Sequence, residues 1–294
     1  MVRNKIMAPK TDKPELILKK LHDVEAWFSS NGIKIRCTRF DLILNNFQQM
    51  VRTSADDYIK KRGFEDYFYT ALGAIAFVDI YRGFSTYSGS LPKKKIEESL
   101  SGPLIPREEI LGDKNVNPRN TFFELEIASR LMRSGFKVTG FNDINLKFEQ
   151  YRFVVECKRL LSKSNIEYNI KYAYAQLSKK LLNVNDRGII ALTFDRSYSL
   201  NDKLLESGNT KDINAKLNQI GDIFIRDNAH VWNNFLNLRV IGIILFINFG
   251  AVYQDSKVLY SQQTCLIALR SDIQVADKEL LLRFGNMIND SYNK

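Results

Sequence analysis

Two short segments of alternating apolar and polar positions, 143–148 and 151–158, flank Glu149-Gln150 and predict a β-hairpin. With those two residues as the loop, Phe148 faces Tyr151, and counting back along both strands sets Asp143 opposite Glu156. Side chains alternate faces along a strand, so Ile144, Leu146, Phe148, Tyr151, Phe153 and Val155 share an apolar face. Asp143, Asn145, Lys147, Arg152, Val154, Glu156 and Lys158 share the other.

The same patterning extends outward from the hairpin. A helix over 120–134 and a strand over 136–141 precede it, and a helix over about 165–183 follows. That second helix carries the stripe Ile166, Ile170, Ala173, Leu177 and Leu181, with Gln176 at its edge. Residues 188–194 are apolar almost throughout, as in a central or parallel strand covered on both faces. A helical stretch over 209–238 comes next, then strands over 239–253 and 263–270 and a closing helix over 278–288. The strand 239–253 is expected to join the same sheet by hairpin pairing.

Upstream, helical periodicity starts at Lys13, with Asp12 as cap, Pro14 in the first turn and Asn31-Gly32 as the stop. Further helices are predicted over 39–51, from Ser54 (a Ser54-x-x-Asp57 capping box) and over 64–82. Tyr67, Phe68, Tyr69, Phe77 and Tyr81 make the last of these aromatic, which reads more simply as a bulky core than as a base-stacking platform. Between Gly83 and Pro118 the texture changes. Pro92, Pro103, Pro106 and Pro118 fall there with a Lys93-Lys94-Lys95 run, read as a solvated connector with room for short helices. The organisation is a basic tail (1–12), a helical domain (13–85), a loop-rich linker (86–118) and a mixed domain over 119–294.

Composition narrows the partner class. The 294 residues carry a net charge of +10, which favours a polyanion such as nucleic acid, although many proteins are basic for solubility alone. Cys37, Cys157 and Cys265 are widely spaced, and His22 and His230 are the only histidines, which argues against a zinc site or a disulfide framework. No apolar leader opens the chain, and 240–249 is too short to span a bilayer, so the expected location is the cytoplasm. No Gly-rich phosphate loop and no base-reading motif is legible.

The candidate chemistry lies on the polar face of the hairpin. Carboxylates at opposed positions, with Cβ atoms about 5 Å apart, repel each other. A divalent cation between Asp143 and Glu156 turns that repulsion into coordination by hard oxygen ligands, with Lys158 beside it. On the helix over 120–134, about 100° per residue places Glu124 inside the apolar arc of Phe122, Leu125, Ile127, Ala128, Leu131 and Met132. Glu126 falls on the opposite side, in line with Arg130, as a solvated ion pair. A carboxylate aimed into an apolar face is costly unless paired or metal-bound, which singles out Glu124. The bland alternative is an edge hairpin whose Glu156 and Lys158 simply face solvent.

Glu124 on a helix, Asp143 on a strand and Glu156-Cys157-Lys158 on the next resemble the PD-(D/E)xK nuclease superfamily, over roughly 118–200. Phe123-Glu124-Leu125, Ser134-Gly135-Phe136-Lys137-Val138 and Val155-Glu156-Cys157-Lys158-Arg159 sit in the expected order. Asn142 stands where the family name has Pro. The resemblance implies an α/β, restriction-endonuclease-like αβββαβ core with a mixed sheet, preceded by a mostly helical region. It implies a Mg²⁺-dependent nuclease, with Mn²⁺ as a substitute and DNA favoured over RNA. Asp143, Glu156, the backbone carbonyl of Cys157 and Glu124 would serve the metal, with Lys158 and Gln176 as the other catalytic groups. Arg159 and Lys163 would contact nucleic acid, and Lys171, Lys179 and Lys180 would line its approach. A homodimer or an activating protein partner is compatible with this reading. The alternative is a catalytically silent nuclease-fold module that binds nucleic acid or a protein.

Overall fold

The computed structural model describes residues 13–110, 117–194, 204–235, 239–253, 259–269 and 272–290. The basic tail and the expected cap Asp12 lie outside them. The chain divides into two compact units, one built from residues up to Arg130 and the other chiefly from Leu131 onward. The division falls within the last turn of a helix rather than in the connector expected over 86–118.

The first unit is helical. It contains α1 (Pro14–Ser30), α2 (Arg39–Arg52), α3 (Ala55–Arg62), α4 (Phe64–Phe84), α5 (Lys93–Ser99) and most of α6 (Asn117–Arg133). Lys13 holds the N-cap position of α1 without a side-chain cap, and Pro14 opens the helix as expected. Thr38 caps α2, and Ser54 caps α3 by accepting from the Asp57 amide at 3.1 Å. The aromatic α4 is core. Phe28, Phe40, Phe77 and Phe122 form an edge-to-face chain with ring centroids 4.8–5.0 Å apart.

The Lys93–Lys95 run is the first turn of α5, one of the short helices for which the connector left room; Lys93 and Lys94 are exposed, and Lys95 Nζ donates to Glu124 Oε2 at 2.5 Å. One expectation is corrected: the side of α6 read as solvated is packed instead. A Cβ at Gly83 would lie 2.3 Å from Ser129 Oγ, so only glycine lets α4 approach α6 this closely. Ser129 Oγ donates to the Asp79 carbonyl at 2.6 Å, and Arg130 is buried. A wheel drawn for one apolar arc fails where α6 is covered on more than one side.

The second unit is built on a seven-stranded sheet of order β1-β2-β3-β4-β6-β5, with β7 also paired to β6. Its strands are β1 (Lys137–Gly140), β2 (Ile144–Phe148), β3 (Tyr151–Arg159), β4 (Asp186–Thr193), β5 (Leu204–Ser207), β6 (Val240–Tyr253) and β7 (Leu259–Leu269). Its helices are α7 (Ile166–Lys180), α8 (Thr210–Asp227), α9 (Ala229–Phe235) and α10 (Val275–Asp290). The fold is of the expected α/β class, with a mixed sheet.

The β2–β3 hairpin has the expected register. Phe148 pairs with Tyr151 and Ile144 with Val155, which leaves Asp143 in the turn just before β2 and Glu156 one step past the last pair. Glu149 adopts φ 53° in the tight connection. β3 is not an edge strand, because β4 runs parallel along it from Arg152↔Asp186 to Arg159↔Thr193. That removes the solvent-facing edge reading of Glu156, which is 8% exposed. β6 pairs in parallel with β4 and β5, and it also pairs with β7, the next strand in sequence. The sequence reading missed β5, a four-residue strand with no periodicity to detect.

The two faces of the hairpin meet different helices. Phe136, Phe148 and Phe153 pack around Phe284 of α10, with ring centroids 4.5–5.7 Å from it. The opposite face lies under α7, whose buried stripe is Ile166, Ile170, Ala173 and Leu177. The sheet thus holds the polar residues of β3 against one helix while the aromatic core anchors its back.

Candidate active site

β3 projects Glu156 and Lys158 toward α7, two residues apart and therefore on the same face. Lys158 Nζ donates to Glu156 Oε1 and to Gln176 Oε1, each at 2.7 Å. One turn beyond Gln176, Lys180 Nζ donates to Asp143 Oδ1 at 2.6 Å and to Glu156 Oε2 at 3.0 Å. Asp143, Glu156, Lys158 and Gln176 are thus brought together, and Lys180 completes a cluster of two carboxylates and two ammonium groups. Lys158 Nζ also stands 5.1 Å from the ring centroid of Tyr172 on α7.

The Lys180 ammonium holds the position between the two carboxylates that the hairpin register reserves for a cation. Burial pulls its pKa down, but the hydrogen bonds to Asp143 and Glu156 outweigh this and raise it above the ordinary lysine value. The sequence placed Lys180 only on the approach to phosphate. Its spacing of four from Gln176, one helical turn, is the signal that would have put it in the cluster.

The remaining candidates are distributed as follows. Glu124 belongs to the first unit, where Lys95 engages it. Arg159, expected to meet nucleic acid, is buried at the end of β3, on the face away from Lys158, and so does not present its guanidinium at the surface. Lys163 is exposed in the 3₁₀ turn (Lys163–Asn165) that leads into α7. Cys157 lies between the two site residues on β3, half-buried. His230 is exposed, whereas Trp232 is buried in the core.

The framework around the cluster is tied by Arg152. Its Nη2 and Nε donate to Asp186 at 2.8 and 3.0 Å, and its Nη1 donates to Asn145 Oδ1 at 3.1 Å, joining β2, β3 and β4. The Arg152 hydrogen bonds hold the Asp186 carboxyl down at about 2, against the opposing effect of burial, with help from the amides of Asn183 and Leu182.

As a metal site, the donor set is two carboxylates, both within hydrogen-bond reach of one cationic atom. Among the described residues no group of three or more His, Cys, Asp and Glu side chains is placed to hold a metal. Two carboxylates suit Mg²⁺, which keeps several waters and completes its shell with substrate oxygens. Among the described residues no helix is long and apolar enough to cross a membrane. Comparison of the chain with protein-family models, curated proteins and solved structures gave no match.

Proposed function

We propose that the protein is a metal-dependent nuclease of the restriction-endonuclease-like kind, hydrolysing phosphodiester bonds of nucleic acid, with DNA favoured as substrate. The observation that carries this reading is the convergence of Asp143, Glu156, Lys158 and Gln176 around cationic nitrogen atoms on one face of the sheet. Asp143 and Glu156, with the backbone carbonyl of Cys157, would hold Mg²⁺ or Mn²⁺. The bound ion lowers the pKa of a water and neutralises charge on the phosphate.

The chain's own groups supply the rest. Lys158 is held by Glu156 and Gln176, so its ammonium is pre-positioned rather than free to rotate. From there it orients the attacking water and offsets negative charge that develops on the phosphate in the transition state. Gln176 fixes that ammonium through its carbonyl oxygen. Exposed Lys163, Lys171 and Lys179 contribute positive charge along the substrate approach, in keeping with the net charge of +10.

A second reading is favoured by one contact. Lys180 neutralises both carboxylates without a metal, as it would in a silent nuclease-fold module that only binds nucleic acid or a protein. Cleavage of plasmid, linear duplex, single-stranded DNA and RNA in Mg²⁺, Mn²⁺ or EDTA separates the two. Metal-dependent cutting by the wild type that is lost in Asp143→Ala supports the nuclease. Salt-sensitive binding with no cutting by either protein supports the silent module.

A further inference from the structure

Tyr168, Tyr172, Gln176 and Lys180 are spaced by four residues and form one ridge along α7, rising about 6 Å per step. At one end of the ridge Lys180 and Gln176 engage the candidate catalytic cluster. At the other, Tyr172 and Tyr168 are 52% and 67% exposed, although the opposite side of the helix is packed on the sheet. The two rings lie nearly parallel, at 11° and 6.2 Å between centroids. Tyr172 also touches the site directly, through the Lys158 ammonium over its ring.

Both rings keep more than half of their surface in water beside the site, and a ligand with flat apolar faces would cover them. The surrounding charge selects an anionic one. The adjacent row of α7 carries exposed Lys171 and Lys179, and Lys163 is exposed in the turn that leads into the helix. The acidic residue on that row, Glu167, is paired with Lys171 at 2.8 Å, so the row's net positive charge comes from Lys179. Unpaired bases joined by phosphates combine flat faces with negative charge. A duplex keeps its base faces inside its own stack and cannot offer them to a side chain, whereas a single strand can.

Building on the nuclease reading, we infer that the Tyr168–Tyr172 pair is a stacking platform that binds unpaired bases and feeds a single-stranded segment to the cluster at Lys158. The substrate class is single-stranded nucleic acid, or a duplex with a frayed, flapped or gapped segment. Each stacked base adds sequence-tolerant affinity of about 1–3 kcal/mol, or roughly fivefold to 150-fold.

The test is fluorescence anisotropy in EDTA, where no cutting occurs, with labelled single-stranded DNA and RNA and a blunt DNA duplex of equal length. Wild type, Tyr168→Ala/Tyr172→Ala and Tyr168→Phe/Tyr172→Phe are compared, with thermal melting to establish that each is folded. The platform predicts tighter binding of single strands than of the duplex. It also predicts a loss of at least about tenfold for single strands in the alanine variant, retention in the phenylalanine variant, and little change for the duplex. Equal binding of single strands and duplex, unchanged single-strand binding in the folded alanine variant, or no binding of nucleic acid would overturn it. The assay is independent of catalysis. Tyrosine-dependent binding without metal-dependent cutting would sink the nuclease reading and leave the platform, and cutting without tyrosine dependence would do the reverse.

Discussion

The Lys180 ammonium stands 2.6 Å from Asp143 Oδ1, joining the C-terminal turn of α7 to the turn that precedes β2. Through its second bond, to Glu156, the same nitrogen prevents two carboxylates from facing each other uncompensated.

That geometry makes Lys180 a competitor for any metal at the site. Lys180→Met is expected to bind Mn²⁺ about tenfold more tightly by calorimetry, since charge-assisted hydrogen bonds are worth about 1.5–3 kcal/mol. The same variant should melt at a lower temperature than wild type in EDTA and recover with Mn²⁺. Unchanged or weaker Mn²⁺ binding would mean that Lys180 does not stand where the metal goes.

Lys158 makes a different demand. Lys158→Ala removes a positioned donor but neither carboxylate, so kcat should fall by about a hundredfold or more while Mn²⁺ binding persists. Gln176→Ala should lower kcat less, because it loosens the ammonium without deleting it. Full turnover in Lys158→Ala would remove that residue from the chemistry.

The Arg152–Asp186 pair sets a pH dependence of stability away from the site. Asp186 is depressed to about 2, so its contribution is complete above the ordinary aspartate range and is lost as pH falls through about 2. Asp186→Asn should cost about 1–2 kcal/mol in urea unfolding at pH 7, allowing for the part-exposed Arg152. The gap between wild type and variant should close between about pH 4 and pH 2. A gap that stays constant over that range would assign the cost to packing instead.

Phe284 carries the back of the hairpin. It is fully buried and lies 4.5, 5.0 and 5.7 Å from Phe136, Phe153 and Phe148 by ring centroid. Phe284→Ala should destabilise by about 3–5 kcal/mol in urea or thermal unfolding. A loss below about 1 kcal/mol would show that α10 does not anchor these strands.

What the sequence alone determined is the local part. Period-two alternation and a two-residue loop fix which residues of 143–158 share a face, because a slip of one position would turn every apolar side chain outward. That was enough to name Asp143, Glu156 and Lys158 together, whereas Gln176, at the edge of the α7 stripe, was named only through the family resemblance. Tertiary structure decided what alternation cannot encode. The parallel pairing of β4 turned β3 from an edge into an interior strand, and burial in that interior withdrew Arg159 from the surface. Packing on several sides of α6 overrode a wheel drawn for a single arc. The spacing of four from Gln176 puts Lys180 on the same side of α7, but its contact with Asp143 depends on α7 crossing the sheet with its last turn above the Asp143 turn, which long-range packing decides.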